Sequence, residues 1–207
     1  RLYNFDFIKS EVRYLNCSKN YIVLENEKII NFDAISINTG GEISKLDITG
    51  SKKFSLSIKP ITEFIYNLNK INISFKKLKK YNISIIGGGA GSVEVALSIQ
   101  KFLETNFPSQ KSKITILSRR KEILKNFSNS LKKQVSRYLS KKNIKLLNEQ
   151  EVTNIFSDKI LTSKGFTLSS DINFLVTNIV PPKWLKHTNL KLSKRGFIQV
   201  NNFLQNE

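Results

Sequence analysis

The residues of this chain that most clearly indicate a binding site form a glycine cluster, which lies between an apolar run and a helical pattern. The apolar run, residues 83–86, leads straight into the cluster, and a helix is predicted from about residue 91 to 106. In such a turn the backbone can approach a phosphate closely, and the helix contributes free N–H groups and its positive dipole end. The cluster therefore predicts a pyrophosphate site formed by Gly87, Gly88, Gly89, Ala90, Gly91 and Ser92.

The glycines have distinct predicted roles. Gly87 permits the tight turn at the strand end, and Gly89 lets the backbone approach the pyrophosphate. The third position of the pattern is Ser92 instead of glycine, which predicts a slightly wider separation of helix and strand. A glycine-rich turn in another kind of α/β protein is the alternative. The order strand, loop, helix favours a dinucleotide-binding turn.

Composition narrows the class of protein. The chain has 207 residues, 40% of them hydrophobic, which suffices for one large or two small domains. Its formal net charge is +18, but the lysines are scattered and no aromatic residues interleave with them, so we predict no nucleic-acid role. The single Cys excludes an internal disulfide and fits a reducing, cytoplasmic compartment.

Several other classes of site are missing from the sequence. There is no metal-ligand cluster, Walker loop or Ser/His/Asp set, and no apolar run is long enough to span a membrane. The only His, His187, is more simply a surface residue than a base. The chain begins at Arg1 and contains no Met, which predicts that it is part of a longer polypeptide, with a processed or edited N-terminus as the alternative.

The elements that must position the glycine turn form an alternating pattern. Strands at 82–86, 113–117 and 144–147, with helices between them, predict an α/β, Rossmann-like domain with a parallel sheet. Residues 1–50 have a β-rich pattern that ends in a buried strand at 33–37, and a helix is predicted over 61–73, followed by a linker at 76–80.

Two blocks of the sequence resemble each other. Residues 20–41 and 158–180 each contain a strand, a polar turn, a second strand, an Asp, an apolar strand and a small polar turn. The alignment pairs Asp33 with Asp171, Thr39 with Thr177, and Gly40 with Asn178. Two similar hairpins could arise by chance. The alternative is a pair of related dinucleotide domains, the second nested after the first.

Taken together, these motifs resemble the pyridine nucleotide–disulfide oxidoreductase superfamily. The similarity is greatest to its type II NADH dehydrogenase-like flavoproteins, including the FAD-containing module that is sometimes joined to a selenide, water dikinase. The segments that carry it, in family order, are FDAISINTGGE, SIKPITEF, ISIIGGGAGSVEVALSIQ, ITILSRR, VPPKWL and RGFIQVNNFLQ.

The resemblance implies a division of the chain and a set of cofactors. Residues 1–76 would be a partial FAD-domain segment, 77–182 the NAD(P)-binding domain, and 183–207 a return segment. The family's first glycine-rich turn and its closing Gly-Asp element, both FAD contacts, are not in this sequence. We therefore expect an FAD-dependent NAD(P)H dehydrogenase at full length, and a colourless, inactive protein from this chain alone.

The resemblance also assigns residues beyond the turn. Glu94 would lie near the nicotinamide and flavin, although a first-turn carboxylate that complements the helix dipole is the alternative. Thr39 and Gly40 would line the FAD side, and Thr177, Asn178 and Pro181 the nicotinamide side. Cys17 has no partner for dithiol exchange in this sequence.

The end of the second strand bears on the choice of nicotinamide cofactor. An acid there would accept the ribose 2′-OH of NADH, whereas this strand ends in Ser118, Arg119 and Arg120. A serine hydroxyl can donate to a 2′-phosphate and arginines can pair with it, which favours NADPH. An arginine beside a strand end can equally be an ordinary surface residue.

Two rival functions remain at this point. One is a non-catalytic nucleotide-binding module that has lost its flavin, and the other is a methyltransferase-like Rossmann domain. Under the leading interpretation the partners would be a small-molecule electron acceptor, with a quinone as a candidate, a peripheral membrane surface and a fused catalytic domain.

Overall fold

The computed structural model describes residues 5–43, 48–59, 61, 64–67, 80–109, 111–177 and 179–206. The chain forms two compact units. Unit 1 comprises Arg1–Glu42 and Ile179–Glu207, and unit 2 comprises Ile43–Asn178. The domain boundaries given above from the sequence remain predictions.

Unit 2 contains a five-stranded parallel sheet with the order β5-β12-β6-β7-β8. Ile83 of β6 lies opposite Ile114 of β7 on one side and Ile172 of β12 on the other. The predicted parallel pairing of residues 83–86 with 113–117 is therefore confirmed, as is the α/β fold class. The strands are β5 (Leu56–Ser57), β6 (Lys80–Ile86), β7 (Lys111–Leu117), β8 (Lys145–Leu147) and β12 (Ile172–Leu175).

The central strands are apolar because both faces of the sheet are covered. In β6, side chains of both faces are buried, including Ile83 and Ile85 on one face and Ser84 and Ile86 on the other. Most strands of a sheet half-exposed to water would instead alternate polar and apolar residues. The main core of the unit is formed by Tyr81, Ile83, Ile85, Ala96, Ile99, Leu103, Ile114, Ile116, Ile123, Leu124, Leu139, Ile144, Phe174 and Val176.

Two long helices connect the sheet strands. Helix α2 (Ala90–Asn106) buries Ser92, Ala96, Ile99 and Leu103, whose spacing of three or four residues places them on one face. Helix α3 (Asn129–Lys141) begins after Ser128, whose side-chain hydroxyl accepts a hydrogen bond from the N–H of Leu131 at 3.3 Å. The short helix α1 (Ser51–Phe54) precedes β5.

A three-stranded antiparallel sheet, β11-β10-β9, lies in the same unit. Its strands are β9 (Val152–Ile155), β10 (Lys159–Thr162) and β11 (Thr167–Ser169). Ile155 and Ile160 of this sheet share a second buried cluster with Ile86 and Leu117 of the parallel sheet. The small sheet thus packs close to the ends of β6 and β7, where the glycine turn begins.

Unit 1 is built from short β-structure. Its strands β1 (Val12–Asn16), β2 (Tyr21–Leu24) and β3 (Ile29–Asn31) form an antiparallel sheet, and β13 (Ile179–Val180) pairs with β4 (Glu42–Ile43). A 3₁₀ helix spans Lys183–His187.

The predicted buried strand at 33–37 was wrong. These residues form no strand, and Ile35 is 41% exposed. Its apolar pattern would be buried only if other elements covered it, and none of the described strands pairs with it. Of the helix predicted over 61–73, Ile61 and residues 64–67 are helical, while the rest of it and residues 76–79 of the predicted linker lie outside the described residues.

Candidate nucleotide-binding site

The glycine turn lies at the carboxyl ends of β6, β7 and β12. The N–H of Gly87 donates to the carbonyl of Leu117 at 2.9 Å, and the N–H of Val176 donates to Ile86 at 2.9 Å. A Cβ atom at Gly87 would lie 2.1 Å from the carbonyl oxygen of Val176, and its φ is +148°. No other residue fits there without moving the backbone, so Gly87 makes the sharp turn that the sequence predicted.

Gly89 has the opposite surroundings. It is exposed, and a Cβ atom there would meet nothing within 4 Å. It precedes α2 as the residue that caps the helix, and no side chain makes a capping hydrogen bond. The first N–H groups of a helix have no acceptor inside the helix, so this end presents donors to open space.

Ser92 differs from its neighbours in the turn because it points inward. It is fully buried, and its hydroxyl donates to the carbonyl of Val176 at 3.5 Å, the long limit of a hydrogen bond. Its N–H donates to the carbonyl of Gly89 at 3.2 Å. The serine at the third position of the pattern thus packs against Val176, the residue after β12, and a Cβ atom at Gly91 would lie 3.3 Å from the side chain of the same residue.

Gly88, in the middle of the turn, contacts the loop that follows β7. A Cβ atom at Gly88 would lie 2.4 Å from the hydroxyl of Ser118, and the carbonyl of Gly88 accepts a hydrogen bond from Leu124 at 2.8 Å. Leu124 is buried with a φ of +57°. Ser118 is also buried, and its hydroxyl accepts a hydrogen bond from the N–H of Arg120 at 3.2 Å.

Arg119 and Arg120 are exposed at the end of β7, next to the turn. The structure therefore brings these two cations to the same sheet edge as the first turn of α2. The backbone of Arg120 is held at both ends, because its carbonyl accepts a hydrogen bond from Glu149 at 3.0 Å in addition to the bond from its N–H to Ser118.

Two acids that the sequence analysis did not consider lie beside these arginines. Glu149 and Glu151 follow β8, and both are exposed. The carboxylate of Glu151 lies 3.9 Å from the guanidinium of Arg119. The signal in the sequence was the pair of acids just after the third predicted strand, since neighbouring parallel strands end at the same edge of a sheet.

Glu94 is exposed on α2 and lies outside its first turn. The helix begins at Ala90, one residue earlier than predicted, which makes Glu94 the fifth helical residue. The alternative role given above, a first-turn carboxylate that complements the helix dipole, was therefore wrong, because that effect falls off beyond the first turn.

Both residues expected on the flavin side lie in unit 1, whereas the residues expected on the nicotinamide side are divided between the two units. Thr39 and Gly40 are exposed in unit 1, and Gly40 has a φ of +71°. Thr177 is partly buried in unit 2, directly after Val176. Asn178 lies outside the described residues. Pro181 is partly buried in unit 1.

Other kinds of site are not apparent in the described part of the chain. No group of three or more His, Cys, Asp or Glu side chains is placed to hold a metal ion, and no helix has the length and apolar character needed to cross a bilayer. Burial raises the pKa of the Cys17 thiol, which disfavours the reactive thiolate. Two open clefts of about 610 and 290 Å³ border α3, and neither contains a residue of the glycine turn.

The geometry of the turn fits a pyrophosphate. Gly87 packs against Val176 and Gly88 against Ser118, while Gly89 leaves free space at the start of a 17-residue helix. Arginines stand at the neighbouring strand end. Helix donors, an open backbone surface and nearby cations are the groups that bind phosphate anions.

The sequence matches a known protein family over most of its length. The sequence profile described as pyridine nucleotide-disulphide oxidoreductase matches residues 4–207. No curated protein sequence matches the chain significantly.

Solved structures show the same fold. The chain superposes on the sulfide:quinone oxidoreductase of Aquifex aeolicus with a TM-score of 0.77 and 19% identity, covering 97% of this chain and 49% of that one. It superposes on reduced CoADR-RHD of Bacillus anthracis with a TM-score of 0.75 and 19% identity, covering 95% of this chain and 35% of that one. For NDH2 of Plasmodium falciparum in complex with NADH the TM-score is 0.73 and the identity 16%, with 91% of this chain and 44% of that one covered. This chain thus spans half or less of each of these proteins.

Proposed function

The chain belongs to the pyridine nucleotide-disulphide oxidoreductase family, and on that premise we propose that unit 2 binds NAD(P)H at the glycine turn. The observation that carries the proposal is the open space at Gly89 in front of α2, next to two glycines that are tightly packed. The methyltransferase-like alternative loses its support, because the profile of an oxidoreductase family covers nearly the whole chain.

Within this site the residues of the chain have separate roles. The N–H groups at the start of α2, from Gly89 to Gly91, bind the pyrophosphate. Ser118, which is buried, positions Gly88 and Arg120 instead of contacting the ligand directly. Thr177, two residues after β12, and Glu94 orient the nicotinamide half. A nicotinamide held by these residues would supply a hydride, and a flavin would accept it.

We further propose that the whole protein is an FAD-dependent NAD(P)H dehydrogenase of the type II NADH dehydrogenase-like class, with Thr39 and Gly40 on its flavin side. Fusion to a selenide, water dikinase and a peripheral membrane position belong to the same proposal. The likeness to a sulfide:quinone oxidoreductase supports a quinone as electron acceptor. A colourless preparation of this chain is the expected result, and stoichiometric flavin absorbance would contradict it.

The nucleotide site is tested by filling the open space at Gly89. Gly89→Glu places a bulky anion where the pyrophosphate is proposed to bind, and its Cβ atom would meet no neighbour within 4 Å. We expect at least a tenfold loss of affinity for both NADH and NADPH in a calorimetric titration of the 207-residue chain.

The matched control is Ser98→Glu, which adds the same charge at an exposed position on the same helix. It should leave both affinities unchanged, and the melting temperatures of both variants should equal that of the parent. Binding by Gly89→Glu as tight as that of the parent would remove the turn from the site.

The choice between the two cofactors is tested at Arg119. A charge-assisted contact to the 2′-phosphate contributes on the order of 1.5–3 kcal/mol, so Arg119→Ala should weaken NADPH roughly tenfold or more and leave NADH nearly unchanged. An equal loss for both cofactors would mean that Arg119 contacts the shared pyrophosphate or supports the fold. Clear preference of the parent for NADH would overturn the assignment of NADPH.

A further inference from the structure

The segment that follows β8 is bound tightly to the segment that follows β7. Ser118 donates a backbone hydrogen bond to Leu147 at 2.9 Å, and its carbonyl accepts one from Gln150 at 2.9 Å. Glu149 donates to the carbonyl of Arg120 at 3.0 Å. These bonds hold the acid-bearing segment in a fixed position beside the two arginines.

The side chain of Gln150 is also hydrogen-bonded within unit 2. Its oxygen accepts a hydrogen bond from the hydroxyl of Thr162 in β10 at 3.2 Å. The carbonyl of Glu151 accepts a further bond from Ser163 at 2.8 Å. The backbone that carries the Glu151 carboxylate is therefore anchored on both sheets of unit 2.

This anchoring places the carboxylate of Glu151 3.9 Å from the guanidinium of Arg119, with the two side chains 58% and 51% exposed. Both groups keep contact with water, so the pair is weak and easily exchanged. An arginine paired in this way can also contact a stronger anion, and the carboxylate then competes with that anion for the guanidinium.

The two nicotinamide cofactors differ at this point. NADPH carries a 2′-phosphate, which would compete with Glu151 for Arg119, whereas the 2′-OH of NADH would not. A carboxylate that holds the phosphate-binding cation thus lowers the affinity for NADPH and leaves that for NADH unaffected. The arginines alone would give a larger preference for NADPH than the arginines with Glu151.

We propose that Glu151 is a specificity-determining residue of the nucleotide site, acting as a positioning residue that holds Arg119 and limits the preference for NADPH. This inference rests on the nucleotide site proposed above. In that site, Glu151 sets the ratio of the affinities for NADPH and NADH.

The experiment measures the affinities of the 207-residue chain for NADPH and NADH by calorimetric titration at low ionic strength. Glu151→Gln should raise the affinity for NADPH roughly three- to fivefold and change that for NADH by less than a factor of two. The gain should shrink as salt is added, because exposed charges are screened. Glu151→Asp, which keeps the charge, should retain most of the parental ratio of affinities.

Three comparisons separate a specific effect from a general one. Glu149→Gln removes the same charge two residues away and should not give a comparable gain. Asp158→Asn does so at an exposed turn of the β9-β10 hairpin and should have no effect. In the Arg119→Ala background, Glu151→Gln should no longer change the affinity for NADPH, because the carboxylate acts through the arginine.

An unchanged ratio in Glu151→Gln, or an equal gain in Glu149→Gln, would overturn the inference while leaving the nucleotide site intact. So would a gain that persists without Arg119. A parent chain that binds neither NADH nor NADPH would instead overturn the proposed function itself. Equal melting temperatures of parent and variants exclude loss of the fold as the cause of any change.

Discussion

The two similar blocks of the sequence adopt different structures in their third segments. Both contain an antiparallel hairpin, formed by β2 and β3 in residues 20–41 and by β10 and β11 in residues 158–180. The third segment of the later block is strand β12, which lies between β5 and β6. The third segment of the earlier block, residues 33–37, forms no strand and is mostly exposed.

The difference arises from the neighbours of each segment. Strand β12 has a parallel partner on each side and buries Phe174 and Leu175. Residues 33–37 have no strand partner among the described residues, so their backbone forms no ladder and Ile35 stays exposed. An apolar run of four or five residues therefore becomes a buried strand only where other strands flank it.

The largest expected effect is at Gly87, the turn after β6 that packs against Val176 near the end of the later block. Gly87→Ala should destabilise the protein by about 4 kcal/mol, because a Cβ atom would overlap the carbonyl of Val176 and the positive φ adds strain. Gly40→Ala, at the end of the earlier block, should cost only about 1 kcal/mol, since its Cβ atom meets nothing within 4 Å. Urea unfolding followed by circular dichroism measures both, and similar losses would refute the contrast.

A smaller effect is expected for the aligned pair Leu175 and Ile37. Leu175 is 4% exposed and belongs to a buried cluster, so Leu175→Ala should cost about 3 kcal/mol. Ile37 is only partly buried, and Ile37→Ala should cost less than about 1 kcal/mol. The same unfolding experiment applies. A loss at Ile37 as large as that at Leu175 would mean that the earlier segment is packed in solution.

The smallest effect is expected for the aligned aspartates. The carboxylate of Asp171 accepts a hydrogen bond from the N–H of Asn82 at 2.7 Å, which joins the start of β12 to β6. Asp171→Ala should therefore cost about 1 kcal/mol. Asp33 is exposed, and Asp33→Ala should change the free energy of unfolding by less than about 0.5 kcal/mol. Equal changes would show that the bond to Asn82 contributes nothing.

Much of the fold of unit 2 could be predicted because its signals are local. The alternation of apolar strands and helices of amphipathic spacing gives β6, α2, β7, α3 and β8 in the right order. The predicted strand at 33–37 failed because burial depends on neighbouring strands, which local sequence does not report. In residues 172–175 the same kind of pattern was correct because those neighbours exist.

In the candidate site, too, the features that could be predicted are those contiguous in sequence. The roles predicted for Gly87 and Gly89 follow from the order of strand, turn and helix, which is contiguous in sequence. The inward position of Ser118 and the nearness of Glu151 to Arg119 depend on strand register and on loops about 30 residues apart. The end of the second strand, taken alone, predicts two arginines with no acid nearby, because Glu151 follows the third strand.

The bond from the amide of Leu124 to the carbonyl of Gly88 makes the glycine turn observable by hydrogen exchange. This amide is buried, and the carbonyl that it contacts belongs to the turn itself. Its proton can exchange with solvent only when the turn and the loop after β7 separate, so its exchange rate measures how often the turn opens. A ligand that binds the closed turn should slow exchange at this one amide in proportion to its occupancy.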